Sequence, residues 1–249
     1  MNIDFQAKES KKMKKFFIRI LDFLLPPTCP ICHQKGLEVG VCFKCFSKLE
    51  FIGRQKCSVC GRPLDAVVPG MAVCGSCLKD KPYFHQAEAV FKYDDISKKL
   101  ILAFKHGDHI ELKNLLAKWM SVNSTQLIER NNILIPVPLH WSRLLKRKYN
   151  QSALLAKTLA QKHNKIYNPF VLIRIKRTKS QGHLSLKERK KNVKNVFSVK
   201  NPECIKGQSV LLIDDVYTTG ATINECAKVL LKAGAKNVDV LTFARVVKD

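Results

Sequence analysis

Acidic residues are scarce in this chain: 20 Asp and Glu stand against 44 Lys and Arg among 249 residues, a formal net charge of +24. That excludes an acidic or neutral surface and favours polyanionic partners such as phosphates, nucleotides, nucleic acid or an anionic membrane surface. Long apolar runs are missing, since no segment approaches the ~20 uninterrupted apolar residues that a membrane-spanning helix needs. A secretory leader is not expected: a basic stretch at 11–15 precedes an apolar run, but Arg19 and Asp22 interrupt it and no small-residue cleavage site follows. Two nucleotide signatures are absent, the GxxxxGK[ST] order of a Walker loop and the GxGxxG of a dinucleotide fold. What is present is 46% apolar residues, enough to build a core and to exclude wholesale disorder.

The organisation reads in three parts. Residues 1–25 are a basic segment whose stretch 11–25 (KKMKKFFIRILDFLL) has the pattern of an amphipathic helix stopped by Pro26 and Pro27. Such a stripe packs on its own domain or touches a membrane. Residues 26–80 form a small cysteine-rich module, and 86–249 a larger α/β domain with a parallel sheet. In the larger domain QAEAVFKY at 86–93 alternates as a strand, and helical spacing follows through Ile96, Leu100 and Phe104, then through Leu112, Leu116 and Trp119. ILIPVP at 133–138 reads as a buried strand entering a turn, 152–162 as a helix and 170–175 as a strand. Residues 209–214 and 238–243 read as strands joined by a Thr/Gly turn and a helix, a parallel βαβ unit. On that helix Ile223, Cys226, Ala227, Leu230 and Leu231 share one buried face, which makes Cys226 a core residue, and Gly234 ends it.

Eight of the ten cysteines lie in four pairs of identical spacing, Cys29/Cys32, Cys42/Cys45, Cys57/Cys60 and Cys74/Cys77. A two-residue gap lets both thiolates of a tight turn point at one tetrahedral ion, so eight ligands make two structural Zn²⁺ sites. Sequential pairing is favoured and a cross-braced arrangement stays open. With every ligand supplied by protein, neither ion has an open position, so the module is structural or a binding surface. Reduced thiols in metal sites imply a cytoplasmic protein.

The second informative stretch is VLLIDDVYTTGAT at 210–222. An apolar strand, two carboxylates and a Thr/Gly turn open a helix, whose unpaired N–H groups, with the hydroxyls of Thr218, Thr219 and Thr222, suit a dianionic phosphate. Gly220 lets the backbone approach. Paired carboxylates repel phosphate, so Asp214 and Asp215 suit a ribose diol or a metal ion carried by the same substrate. The arrangement fits a sugar with a 5′-phosphate, at the carboxyl edge of a parallel sheet where such folds bind ligands.

This stretch resembles the phosphoribosyl-pyrophosphate loop of the type I phosphoribosyltransferases. FKHG at 104–107, PVPLHWSRLLKRKYNQS at 136–152 and RTKSQGHLSLKERKKNV at 177–193 resemble, in order, segments of the ComF family, competence-associated phosphoribosyltransferase-like proteins with an N-terminal double zinc ribbon. One departure stands out: Arg147-Lys148-Tyr149-Asn150-Gln151 replaces the Arg-Gly-Phe-Asn-Gln usual in that family, which would alter packing beside the leaving group. The resemblance implies that Asp214 and Asp215 hold the ribose hydroxyls and that Thr218, Thr219, Gly220, Ala221 and Thr222 hold the 5′-phosphate. Arg143 and Arg147, with the turn after Ile135, would meet the pyrophosphate. Lys105 matches an upstream family lysine, and Gln181, Arg189 and Asn192 match positions on a loop that closes over the donor.

The activity so implied is pentosyl transfer, with Mg²⁺ arriving on phosphoribosyl pyrophosphate. A nitrogen nucleophile would displace pyrophosphate from C1, with Asp214, Asp215, Arg143 and Arg147 as the catalytic set and His106 or His183 as candidate bases. A role in DNA uptake, natural transformation or nucleotide handling follows from the family. The alternative is an accessory protein that binds single-stranded DNA and meets the DNA-uptake machinery, using the fold as scaffold or nucleotide sensor. Trp141 and Tyr149 beside Arg143 and Lys146 would stack and neutralise such a strand.

Overall fold

The computed structural model describes residues 28–35, 40–64, 70, 72–106, 109–176, 178 and 186–247, without the side chains of His106, Arg143, Lys146, Leu186 and Lys187. The amphipathic segment expected at 11–25 lies outside the described residues, as do Arg177, Gln181 and His183. The chain divides into two compact units, Met1–Lys48 and Leu49–Asp249. This division falls inside the cysteine-rich stretch, whereas the sequence reading placed a boundary between residues 80 and 86.

In the first unit the described residues form a turn at Cys29 and Cys32, an isolated bridge between Thr28 and Lys35, and the short helix α1 (Phe43–Phe46). The second unit opens with another cysteine turn and the helix α2 (Gly75–Lys79). Its core is a five-stranded sheet in the order β1 (Ala87–Lys92), β7 (Asn237–Arg245), β6 (Ser209–Tyr217), β2 (Ile133–Pro136) and β3 (Ile166–Tyr167), every pair parallel. The remaining helices are α3 (Asp95–His106), α4 (Leu112–Asn123), α5 (Thr125–Glu129), α6 (Trp141–Arg147), α7 (Gln151–His163), α8 (Leu186–Val193) and α9 (Ala221–Lys232).

β6 is central because both of its faces are covered. Val210, Leu211, Leu212 and Ile213 are all fully buried, so the strand reads as a continuous apolar run rather than an alternation. α7 lies on β2 and β6 and buries Leu155, Ala156 and Leu159. It starts at Asn150, whose side chain accepts from the amide of Ser152, and stops at Asn164 in the left-handed region. α9 buries Ile223, Cys226, Ala227 and Leu230, and Gly234 at φ +98° ends it while the amide of Ala235 donates back to the carbonyl of Leu230. Residues 50–52 cover the edge of β1, with Ile52 N donating to Val90 O and Lys92 N to Glu50 O, each at 2.9 Å.

The strand expected at 170–175 is shorter and does not join the sheet. It is β4 (Leu172–Arg174), paired antiparallel with β5 (Phe197–Val199). β5 packs against α9, and Leu172 and Phe197 are buried, so this two-stranded piece covers a helix instead of extending the main sheet.

Candidate active site and metal centres

The four-pair spacing resolves into two clusters, Cys29/Cys32/Cys42/Cys45 and Cys57/Cys60/Cys74/Cys77, within each of which all four sulfurs lie within 4.8 Å of one another. The pairing is therefore sequential. Backbone amides turn toward the sulfurs as a metal-thiolate turn requires: Cys42 N donates to Cys29 Sγ at 3.5 Å, and Cys60 N and Cys74 N to Cys57 Sγ at 3.5 and 3.3 Å. Burial pushes the Cys57 thiol up, but the amides of Cys60, Cys74 and Val59 outweigh it and bring it down to about 7. The same competition leaves Cys29 at about 6. Burial and the neighbouring sulfurs push Cys45 up to about 12, and burial holds Cys60 up at about 11, so it is the convergence of four soft sulfurs that fits Zn²⁺, each set filling a tetrahedral shell from protein alone.

The second assembly sits at the carboxyl end of β6. A cleft of about 210 Å³ is lined by Lys105, the turn Val137–Pro138–Leu139, Arg147, Arg174, Asp214, Asp215, Val216, Thr218, Gly220, Thr222 and Ile223. Asp214 Oδ1 accepts from the Ser152 hydroxyl and from the amide of Asp215, both at 2.9 Å. Burial, reinforced by the neighbouring Asp215 carboxylate, pushes Asp214 up to about 7, against the lowering pull of that amide, Ser152 and Lys105. Asp215 is ion-paired with Lys105. The Thr/Gly turn follows, with Gly220 at φ +75° and the amide of Ala221 donating to Thr219 Oγ1 at 3.4 Å. Gly220 is required twice over: its backbone is left-handed, and a Cβ there would lie 2.2 Å from Tyr217 Oη.

The far wall is held by a ladder between the FKHG and RKYNQS stretches. Tyr149 Oη donates to Phe104 O at 2.8 Å, Gln151 Nε2 to Lys105 O at 3.2 Å and Asn150 Nδ2 to Val137 O at 3.1 Å. Arg147 Nη1 reaches Gln151 Oε1 at 3.4 Å. Three cations, Lys105, Arg147 and Arg174, and two carboxylates thus line one volume, which suits a ligand with anionic ends and a hydroxylated middle. The carboxylate pair is no cage for a resident metal, since one member is already neutralised by Lys105. Carboxylate oxygens are hard ligands of the kind Mg²⁺ takes, and two of them would need further oxygens from another source to complete its shell.

A double zinc ribbon domain model matches residues 20–78 and a phosphoribosyl transferase domain model residues 150–248. Competence protein F of Haemophilus influenzae is 31% identical, over 83% of this chain and 90% of its own. DNA utilization protein YhgH of Salmonella typhimurium is 32% identical over 89% and 98%, and competence protein ComFC of Bacillus subtilis 32% over 82% and 84%. The chain belongs to the ComF family. Its phosphoribosyltransferase-like α/β domain also aligns with glutamine phosphoribosylpyrophosphate amidotransferase from B. subtilis, at 16% identity and a TM-score of 0.40 over 57% of this chain and 30% of that one. Hypoxanthine phosphoribosyltransferase from Staphylococcus aureus aligns at 14% identity and a TM-score of 0.34 over 53% and 62%. This ComF chain spans less than two thirds of either structure.

Of the residues singled out in the sequence, Asp214, Asp215, Thr218, Gly220, Thr222, Lys105 and Arg147 line the cleft, and Thr219 and Ala221 shape its turn. Arg189 and Asn192 lie on α8 and do not line it. The side chains of Arg143 and His106 lie outside the described residues. Tyr149, expected beside Trp141 as a stacking surface, is half-buried and bonded to Phe104, while Trp141 is 67% exposed. Arg174 and Ser152 were missed. Each follows or precedes ordinary helix and strand residues, and only the tertiary fold brings them to Asp214 and the cleft. Among the described residues no helix is long and apolar enough to cross a membrane.

Proposed function

We propose that this ComF-family chain binds phosphoribosyl pyrophosphate together with Mg²⁺ and transfers or senses its phosphoribosyl group in the uptake or handling of DNA. The observation that carries this reading is the Asp214–Asp215–Lys105 constellation set directly before a Thr/Gly helix start. Asp214 and Asp215 accept from the ribose hydroxyls, and the turn 218–222 wraps the 5′-phosphate with the amides and hydroxyls of a helix start. Lys105 neutralises Asp215 until the diol replaces it. Arg147, Arg174 and the turn at 137–139 face the pyrophosphate, and Arg143 belongs to the same helix as Arg147.

Transfer would break the C1–O bond to pyrophosphate and form a C1–N bond to an incoming nitrogen through an oxocarbenium-like state. Cations aimed beforehand at the departing oxygens supply most of the acceleration. Mg²⁺, when bound with the donor, offsets diphosphate charge. Arg189 and Asn192 belong to the segment that covers the donor in this reading. Eight cysteines without a disulfide, grouped as two metal-binding sets, support a cytoplasmic location.

The test is donor-induced stabilisation. Phosphoribosyl pyrophosphate with Mg²⁺ should raise the Tm of the parent, by about 2.7 kcal/mol of stability at a hundred times Kd, and leave Asp215→Ala unmoved. Equal shifts in both proteins would remove the site assignment. The relatives named for competence and DNA utilization support a second reading alongside the first, single-stranded DNA binding, and the 67% exposed Trp141 ring favours it. It requires log K to fall with log salt at roughly −0.7 per phosphate contact; a flat response rejects it.

A further inference from the structure

One buried cation of the larger unit is not used by the donor reading. Arg245, the last residue of β7, is 7% exposed, and its guanidinium meets a carbonyl, a sulfur and a ring rather than a carboxylate. Nη1 donates to Cys60 O at 2.6 Å, Nη2 reaches Cys60 Sγ at 3.4 Å, and Cζ lies 3.9 Å from the centre of the Tyr217 ring. A buried charge needs a counter-charge. Four thiolates around one divalent ion carry a net negative charge, so the cysteine site itself supplies it.

Tyr217 links this cation to the cleft. It ends β6, and Phe84 meets its ring edge-on at 6.3 Å. Its hydroxyl lies so close beneath Gly220 that no Cβ fits between them. A second strut runs in parallel: Tyr83 N donates to Asn224 Oδ1 at 2.7 Å, and Asn224 N donates to Gly220 O at 2.8 Å. The cysteine turn, the residues that follow it and the end of β7 therefore converge on the backbone of 218–222.

We propose that Arg245 and Tyr217 are positioning residues that couple the Cys57/Cys60/Cys74/Cys77 site to the phosphate turn, so that metal loading sets the turn and donor binding in return tightens the metal. The coupling rests on the donor reading above. Linkage makes the effect reciprocal: the factor by which donor strengthens zinc binding equals the factor by which zinc strengthens donor binding.

The full-length protein is titrated with a chromophoric zinc chelator at equilibrium, with and without phosphoribosyl pyrophosphate at fixed Mg²⁺, and calorimetry gives donor affinity in parallel. One of the two zinc ions should bind about fivefold tighter or more when donor is present, the lower end of measured site-to-site couplings. Arg245→Met should keep both ions and a cooperative melt, lose that tightening and bind donor correspondingly more weakly. Arg245→Lys, which keeps the charge, should recover part of it. Unchanged zinc affinity in a parent that calorimetry shows to be saturated with donor overturns the coupling alone, and this comparison needs no variant. A parent that binds no donor overturns the donor reading and the coupling with it.

Discussion

In the first cysteine site Cys32 is exposed and Cys42 half-buried, whereas all four cysteines of the second are buried. The spacing within each pair is identical, so the difference comes from the surroundings. The first set belongs to the smaller unit and is bounded by short turns and α1. The second is built into the larger unit: the amide of Ala87 donates to Val59 O at 2.7 Å, Gly61 at φ +69° lies so close to Ala87 that a Cβ would be 2.5 Å from its carbonyl oxygen, and Arg245 binds Cys60. A repeated ligand pattern therefore fixes the metal chemistry of both sites but not the role of either. The surroundings make the second a part of the cleft's framework.

The harshest way to break this comparison is to remove one ligand from each site. Cys60→Ser should cost one zinc per chain, lower Tm and abolish the donor-induced shift, because structural zinc contributes an apparent ~10–16 kcal/mol in small metal-folded units. Cys32→Ser should also cost one zinc but leave the donor-induced shift intact. Elemental analysis and thermal shift read both, and loss of the donor shift in Cys32→Ser would make the two sites equivalent.

Next comes the contact between the second region and the phosphate turn. Gly220→Ala adds a left-handed strain of roughly 1–2 kcal/mol and a collision with Tyr217 Oη. Donor affinity should fall by tenfold or more, about 1.4 kcal/mol, with both zinc ions retained. An unchanged calorimetric Kd would separate the turn from ligand binding.

A milder test acts on the cleft and spares both cysteine sites. Asp214 is held up at about 7 by burial and Asp215, above the ~3.9 of a free aspartate. Folding therefore binds a proton in this range. The stability this contributes is complete below about pH 4 and is lost as pH rises toward 7, by at most about 1.4 kcal/mol per unit. Asp214→Asn should flatten that decline in urea melts between about pH 5.5 and 7 without changing zinc content. A parallel slope in parent and variant would show that the proton resides elsewhere.

How much of this was legible in the sequence follows from the range of the interactions. The cysteine pairs, the Asp214–Asp215 step, the Thr/Gly turn and the β6–α9–β7 unit depend on neighbours within about a dozen residues, and the spacing alone displays them. Sequential cysteine pairing was favoured there and needed the folded chain to close the cross-braced option. Arg174 and Ser152 reach the cleft, and Arg245 reaches Cys60, across 40 to 185 residues of chain, which no periodicity encodes. The strand expected at 170–175 is present but shorter, and its partner β5 was not foreseen for a related reason: so short a strand carries no mark of which sheet it joins, and burial against α9 decided it.

The smallest expected effects lie on the cleft wall opposite the second cysteine site. Lys148 adopts φ +65° as the residue that closes α6, a conformation glycine adopts freely and lysine does not, and the resembling family places glycine there. Lys148→Gly should therefore gain roughly 0.4–1 kcal/mol. Tyr149→Phe should lose a comparable 0.5–1.5 kcal/mol, because Phe104 O gives up its 2.8 Å hydroxyl donor. The two departures from the family pattern thus offset one another, the added hydroxyl bond tying Phe104 to the strained lysine's neighbour. Being adjacent, they should couple in a double-mutant cycle on urea stability, with both zinc ions and the donor-zinc linkage unchanged. A zinc loss in either variant would carry the second site's influence across the cleft and end the contrast between its walls.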